Sequence, residues 1–288
     1  MALAHNLGFS HGGHTPELRA HQWQVQKNAG LALLPVAADA WHVEAMSQAG
    51  DPRHPLPTFT VDQAFDLSWA PLLEHVQEAK ALGHAVKPVV IGPLTYLWLG
   101  KTKGAEFDKL ELLERLLPLY DQVFNRLAGQ GVEWVQIDEP ILVLDLPQAW
   151  KSAFERVYNI LQRAPLKKLI ATYGGGLEEN LGLAANLPVD GLHVDLVCAP
   201  DRYTAILDRL PAYKVLSLGL VDGRSGGSGD LEDAVALVQH AAECLGDRLW
   251  LAPSCALQQG PLGVAVQQCE QVAMLAKVAD AGCARAAA

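Results

Sequence analysis

One pattern limits what this chain can become more than any other. A short apolar run, rich in Val, Ile and Leu, is followed by a helical stretch, and the pair recurs eight times along 288 residues. The strand candidates are residues 3–9, 31–36, 86–91, 132–137, 168–173, 191–197, 214–221 and 248–253. The helices between and after them cover about 16–29, 71–82, 105–128, 147–162, 177–186, 200–210, 231–245 and 264–281. Strands separated by helices pair in parallel, with the helices outside the sheet. At this length closure into a single (β/α)8 TIM barrel over residues 1–288 is the economical α/β solution. A doubly wound open sheet is the alternative, but no G-x-G-x-x-G follows the first strand to support its dinucleotide-binding form. No segment reads as a domain linker; 225–229, S-G-G-S-G, is too short for one.

The stretch V-E-W-V-Q-I-D-E-P (132–140) ends in two adjacent acids, Asp138 and Glu139. Burying unpaired carboxylates is costly, so both are expected at a wet rim. In parallel α/β proteins the rim past the strand C-termini is where ligands bind. Besides these acids the rim should gather Ser10, His11, Asp39, His42, Thr95, Tyr173, His193, Asp195, Asp222, Arg224, Ser254 and Cys255. Such a mouth reads as mildly acidic and suits an ammonium group better than a phosphate. His193 and Asp195 share one strand face. With Cys255 they form a mixed N/O/S set, a weak candidate for zinc, against the plainer reading that Asp195 accepts from loop amides and Cys255 packs as a small apolar residue. His11-Gly-Gly-His14 offers two ligands, too few for a metal clip, and 174–176 reads as a turn rather than a phosphate cradle. No elbow motif for a Ser-His-Asp triad occurs, and no catalytic residue is assigned.

A net charge of −10 argues against nucleic acid as a partner. No apolar run reaches the ~18 residues of a membrane span. The N-terminus lacks the basic-then-apolar order of a secretory signal. Cys198, Cys244, Cys255, Cys269 and Cys283 form no C-x-x-C pair, which fits reduced thiols in a cytoplasmic compartment.

Several phrases together resemble cobalamin-independent methionine synthase: N-L-G-F (6–9), L-L-P-V (33–36), A-L-G-H-A-V-K-P-V-V-I-G-P-L-T-Y-L-W-L-G-K (81–101), V-E-W-V-Q-I-D-E-P (132–140), D-L-P-Q-A-W (145–150), G-L-H-V-D-L-V (191–197) and L-W-L-A-P-S-C (249–255). The resemblance is to the N-terminal of two tandem barrels. It implies methyl transfer from 5-methyltetrahydrofolate polyglutamate to homocysteine, in methionine biosynthesis. It places the catalytic zinc in the other barrel. Positions like its ligands are Tyr173, Gly175, Asp195 and Cys255 here, and only Cys255 keeps the type, so no resident cofactor is expected. Asp138 stands where the family's catalytic barrel uses an Asp on the homocysteine amine. By the same resemblance Glu17, Leu18 and Arg19 fall where a basic cluster helps hold the folate tail, with one cation lost and one kept as Arg. Asp66 replaces a second basic position, and three regions are shorter: after the first strand, 41–65, and after Pro261. The resemblance therefore implies a substrate-binding half, with Asp138, Glu139, Asp39, His193 and Asp195 at the mouth and a second barrel supplied in trans. The alternatives are a non-catalytic scaffold and an independent small-molecule enzyme that uses the acidic mouth.

Overall fold

A computed structural model describes residues 1–9, 15–37, 56–65, 69–104, 106–224, 231–257 and 260–286. Ser10, His11, His14, Asp39, His42, Asp66 and the 225–229 stretch lie outside the described residues. Eight strands form one parallel sheet: β1 (Leu3–Ala4), β2 (Leu34–Ala37), β3 (Val86–Ile91), β4 (Trp134–Asp138), β5 (Lys167–Ala171), β6 (Gly191–Asp195), β7 (Val215–Val221) and β8 (Leu249–Pro253). From β2 to β8 each pairs with its neighbour in sequence, and β1 pairs with β8. A parallel bridge from His5 to Leu33, with Ala32 N donating to Ala4 O at 2.9 Å, joins the two ends of the sheet. The ring is thus closed, as the alternation of segments predicts.

The helices are α1 (Pro16–Asn28), α2 (Ala70–Ala81), α3 (Pro93–Leu99), α4 (Leu113–Gly129), α5 (Gln148–Leu161), α6 (Leu181–Asn186), α7 (Tyr203–Arg209), α8 (Leu231–Leu245) and α9 (Leu262–Ala286). Thr15 caps α1 through its hydroxyl on Leu18 N, and Pro16 opens it. Leu113, Leu116, Leu117, Tyr120, Val123, Phe124 and Leu127 bury one face of α4 at helical spacing. None of the described helices is long and apolar enough to cross a membrane.

Two regions differ most from the sequence expectation. The first strand is two residues long, not 3–9, because the backbone beyond it makes only isolated bridges at His5 and Phe9. The helix expected at 105–128 starts later, as α4 at Leu113, after a 3-10 turn (Lys109–Leu112), and it is preceded by the unexpected α3 and a short strand (Lys101–Thr102) paired with Thr58–Phe59. Asp108 caps that turn through Leu110 N, and Gly92-Pro93 had already started a helix.

Side chains alternate across each strand, so odd and even positions meet different partners. Val135, Ile137, Leu192, Val194, Leu216 and Leu218 join the large core that includes the buried helix faces. Trp134, Leu169, Trp250 and Leu33 form a separate apolar cluster. It lies toward the strand N-termini, the floor of the lumen, with Trp134 and Trp250 rings 4.6 Å apart. Replacing Trp134 by Ala should open a cavity there and destabilise the fold by about 3–5 kcal/mol. Urea unfolding followed by far-UV circular dichroism measures this; an unchanged midpoint would show that the floor carries no packing energy.

Candidate functional site

Above the apolar floor the lumen turns polar. β4 contributes Gln136 and Asp138, β3 contributes Lys87, β6 contributes His193 and Asp195, and β7 contributes Ser217; all are buried. Strand register sets Asp138 beside Ile91 and Ala171, and His193 beside Ser217. Two chains of contacts result. Lys87 Nζ donates to Gln136 Oε1 and, at 3.3 Å, to Asn6 O. Gln136 Nε2 donates to Asp138 Oδ1 at 2.6 Å, and Tyr173 Oη donates to Asp138 Oδ2 at 3.2 Å. In the second chain Ser217 Oγ lies 2.7 Å from His5 Nε2 and 2.8 Å from His193 Nδ1.

Burial disfavours charge on these groups. It pushes the Lys87 ammonium down to about 7, against the opposing pull of Asp138. It takes His193 down to about 4 and His5 well below its ordinary value, so both imidazoles are neutral at pH 7. Sequence reasoning missed Lys87, Gln136, His5 and Ser217. The signal was there: polar residues two apart in otherwise apolar strands, as in W-V-Q-I-D.

Asp138 and Glu139 part company. Asp138 faces the lumen, while Glu139 is fully buried and meets the helix layer rather than a wet rim. Its Oε2 accepts from Thr95 N at 2.8 Å and Thr95 Oγ1 at 2.5 Å, and its Oε1 accepts from Tyr158 Oη at 2.9 Å and Leu94 N at 3.4 Å. Glu139 therefore caps the start of α3 from another strand, where the helix dipole favours an anion. Gly92 leaves the room: a Cβ there would sit 2.0 Å from Glu139 Cδ. The sequence expectation of solvent at both acids fails here because four donors make burial tolerable.

Asp195 has no exposed side-chain surface. Oδ1 accepts from Val197 N and Cys198 N at 3.1 and 2.9 Å, and Oδ2 from Gly174 N and Arg224 at 3.0 and 2.9 Å. Cys255 is buried in the core cluster. These residues do not fit a zinc ion: the Asp195 oxygens are taken by four N–H donors, one of them cationic. Among the described residues no three His, Cys, Asp or Glu come together as a ligand set. The plainer of the two sequence readings describes this geometry. Arg19 stands apart on α1, paired with Glu78 of α2 at 2.8 Å, with Leu18 exposed beside it and Glu17 in the first helical turn.

The mouth itself holds a cleft of about 300 Å³ between the loops after β3, β4, β5 and β7. Trp98, Leu99, Ile141 and Val143 give it apolar walls, and Tyr173 and Arg224 its polar ones. Tyr173 links the cleft to Asp138, and Arg224 links it to Asp195. The rim is therefore less acidic than its residue list implies, because Arg224 offsets Asp195.

Burial raises the Glu139 carboxyl to about 7, while its hydrogen bonds from Thr95, Tyr158 and Leu94 pull the other way. The Thr95 or Tyr158 hydroxyl can turn to accept a hydrogen bond from the protonated carboxyl. Between the unfolded value near 4.5 and about 7, the folded chain holds a proton that the unfolded chain has released. This group's contribution to stability is complete below about 4.5 and lost as pH rises through about 7. Relative to Glu139→Gln, the wild-type unfolding free energy should fall by roughly 2–3 kcal/mol from pH 4.5 to 7.5. Parallel profiles for the two proteins in urea titrations would refute the assignment.

Comparison with known proteins agrees with this architecture. A structure described as a B12-independent methionine synthase from Shewanella sp. W3-18-1, in complex with selenomethionine, superposes with a TM-score of 0.72 at 13% identity, covering 96% of this chain and 96% of that one. A methyltransferase from Methanosarcina mazei superposes with a TM-score of 0.65 at 16% identity, covering 91% and 85%. At these identities the likeness establishes the shared (β/α)8 barrel. The family profile described as "Cobalamin-independent synthase, N-terminal domain" matches residues 54–246, two thirds of the chain. That span contains β3 to β7, the Asp138–Glu139 phrase and the whole described cleft, and it shows that the chain belongs to the cobalamin-independent synthase N-terminal domain family.

Proposed function

We propose that this barrel binds a substrate of a methyl-transfer system, the transfer from 5-methyltetrahydrofolate polyglutamate to homocysteine, with a second barrel supplied in trans for the chemistry. The observation that carries the reading is one apolar cleft with the Arg224 guanidinium in its wall and the Asp138 carboxylate behind its Tyr173. Asp138, reached through Tyr173, is an acceptor for an ammonium group. Arg224, with 42% of its side chain exposed, is a donor for a carboxylate. Trp98, Leu99, Ile141 and Val143 suit the sulfur-bearing stem of an amino acid such as homocysteine. The selenomethionine bound by the Shewanella protein is a ligand of this class. Three groups named at the sequence level have other partners: Glu139 caps α3, His193 shares Ser217 with His5, and Asp195 is held by amides and Arg224. Their role in the proposal is to hold the site's walls and floor.

The residues need only bind and orient. An incoming ammonium replaces the Tyr173 hydroxyl on Asp138, while Gln136 keeps the carboxylate in place from below. Methyl transfer itself would need the zinc thiolate chemistry of the partner barrel. The folate tail would meet the chain near Arg19, although the Glu78 pair already engages that cation.

Calorimetry at pH 7.5 with homocysteine and with 5-methyltetrahydrofolate triglutamate tests the reading. Homocysteine should bind, and Asp138→Asn should weaken it by roughly 1–3 kcal/mol, the loss of one charge-assisted hydrogen bond. No heat from either ligand at about millimolar concentration, a binding energy near 4 kcal/mol, would leave the barrel as a scaffold.

A further inference from the structure

Outside the lumen and the cleft, three side chains of the outer helices meet in the order expected of an activated nucleophile. His240 and Cys244 stand four apart on α8 and so share a face. His240 Nε2 lies 3.8 Å from Cys244 Sγ, within hydrogen-bond reach of the larger sulfur atom. The other ring nitrogen, Nδ1, lies 2.8 Å from Tyr203 Oη of α7, and the two rings meet edge to face at 5.7 Å. A nucleophile, a base and a third group that orients the base define this kind of site. Burial, with charge at Cys244 adding to it, pushes the Tyr203 hydroxyl up to about 12, so it remains a neutral partner for the ring.

The other described cysteines lack this arrangement. Cys255 and Cys269 are buried, and burial pushes the Cys269 thiol up to about 12. Cys198 is exposed with its sulfur 2.7 Å from the Arg224 guanidinium, a cation but not a base, so it serves as the comparison thiol that lacks a proton acceptor. Cys244 combines exposure with a base in reach.

We propose that Cys244, activated by His240 and oriented through Tyr203, is a modification site that takes low-molecular-weight disulfides into a mixed disulfide. The Cys244 thiol gives its proton to His240 Nε2. The thiolate attacks one sulfur of R–S–S–R; that S–S bond breaks as the Cys244–S–S–R bond forms. The leaving thiolate, R–S⁻, then takes the proton from His240. The disulfide is the oxidant: one of its sulfurs is reduced to the free thiol while Cys244 is oxidised. With Nδ1 bonded to the Tyr203 oxygen, the transient imidazolium has an acceptor on both of its N–H groups.

The test uses the full chain at pH 6.5 with iodoacetamide and, separately, glutathione disulfide, read peptide by peptide by mass spectrometry. Cys244 should react about tenfold faster than free glutathione or cysteine under the same conditions, because a positioned base can take the thiol proton as the sulfur attacks. His240→Ala should bring Cys244 to the free-thiol rate, and Tyr203→Phe should slow it several-fold, with the Cys198 rate unchanged in both. A wild-type Cys244 rate within about twofold of the free thiol would overturn the proposal, as would an unchanged rate in His240→Ala. New labelling of Cys255 and Cys269 would reveal a variant that had unfolded, and the wild-type comparison then decides by itself.

Discussion

A lysine with no exposed surface stands inside a closed ring, and much of the lumen is arranged around it. An ammonium moved from water into a protein interior costs several kcal/mol unless it is paired and hydrogen-bonded. Gln136, the Asn6 carbonyl and the charge of Asp138 one step beyond offset part of that cost for Lys87, and the remainder lowers its ammonium to about 7. Gln136 is suited to the middle place because an amide has an acceptor for the lysine and a donor for the aspartate. The same group also donates to Leu7 O at 3.0 Å, which ties the end of the first strand segment to the fourth strand. Charge balance inside the lumen thus helps hold the sheet's two halves in one register.

The adjacency of Asp138 and Glu139 follows from this geometry. Neighbouring residues of a strand face opposite sides, so one acid completes the lumen and the other reaches the helix layer. Glu139 then fixes the start of α3, and α3 presents Trp98 and Leu99 to the cleft. Gly92, whose missing Cβ leaves space for the Glu139 carboxyl, and Pro93, which opens α3, belong to the same device. Lumen and cleft are thus joined across a single peptide unit, with Asp138 held from one side and Glu139 from the other.

The eight-fold alternation was legible in the sequence, and so were most strand bounds, because β-branched runs between turn signals are local features. α8 begins and ends at 231 and 245, as helical spacing predicts. The misreadings share a cause, which is that a partner distant in the chain decides the outcome. The 93–99 segment becomes helical with its first amides satisfied by Glu139, 44 residues further on in the contact to Thr95. Asp195 loses its apparent freedom to Arg224, which is 29 residues away. The polar lumen was hidden differently. No strand carries more than two polar residues, and only ring closure brings Lys87, Gln136, His193 and Ser217 together.

Charge at the mouth depends on pairing more than on composition. The chain carries 32 acids against 22 basic residues, and the rim list alone suggests a negative opening. Yet Asp195 faces a guanidinium, Glu139 is turned into the helix layer, and Asp138 is linked through Gln136 to an ammonium. What remains at the cleft is one anion reached through a tyrosine and one half-exposed cation, set among apolar walls. A purely cationic ligand would meet Arg224 as a like charge, and a purely anionic one would meet Asp138. On the proposed reading a zwitterion with an apolar stem would satisfy both groups at once, which is why we propose an amino acid rather than a polyamine or a phosphate.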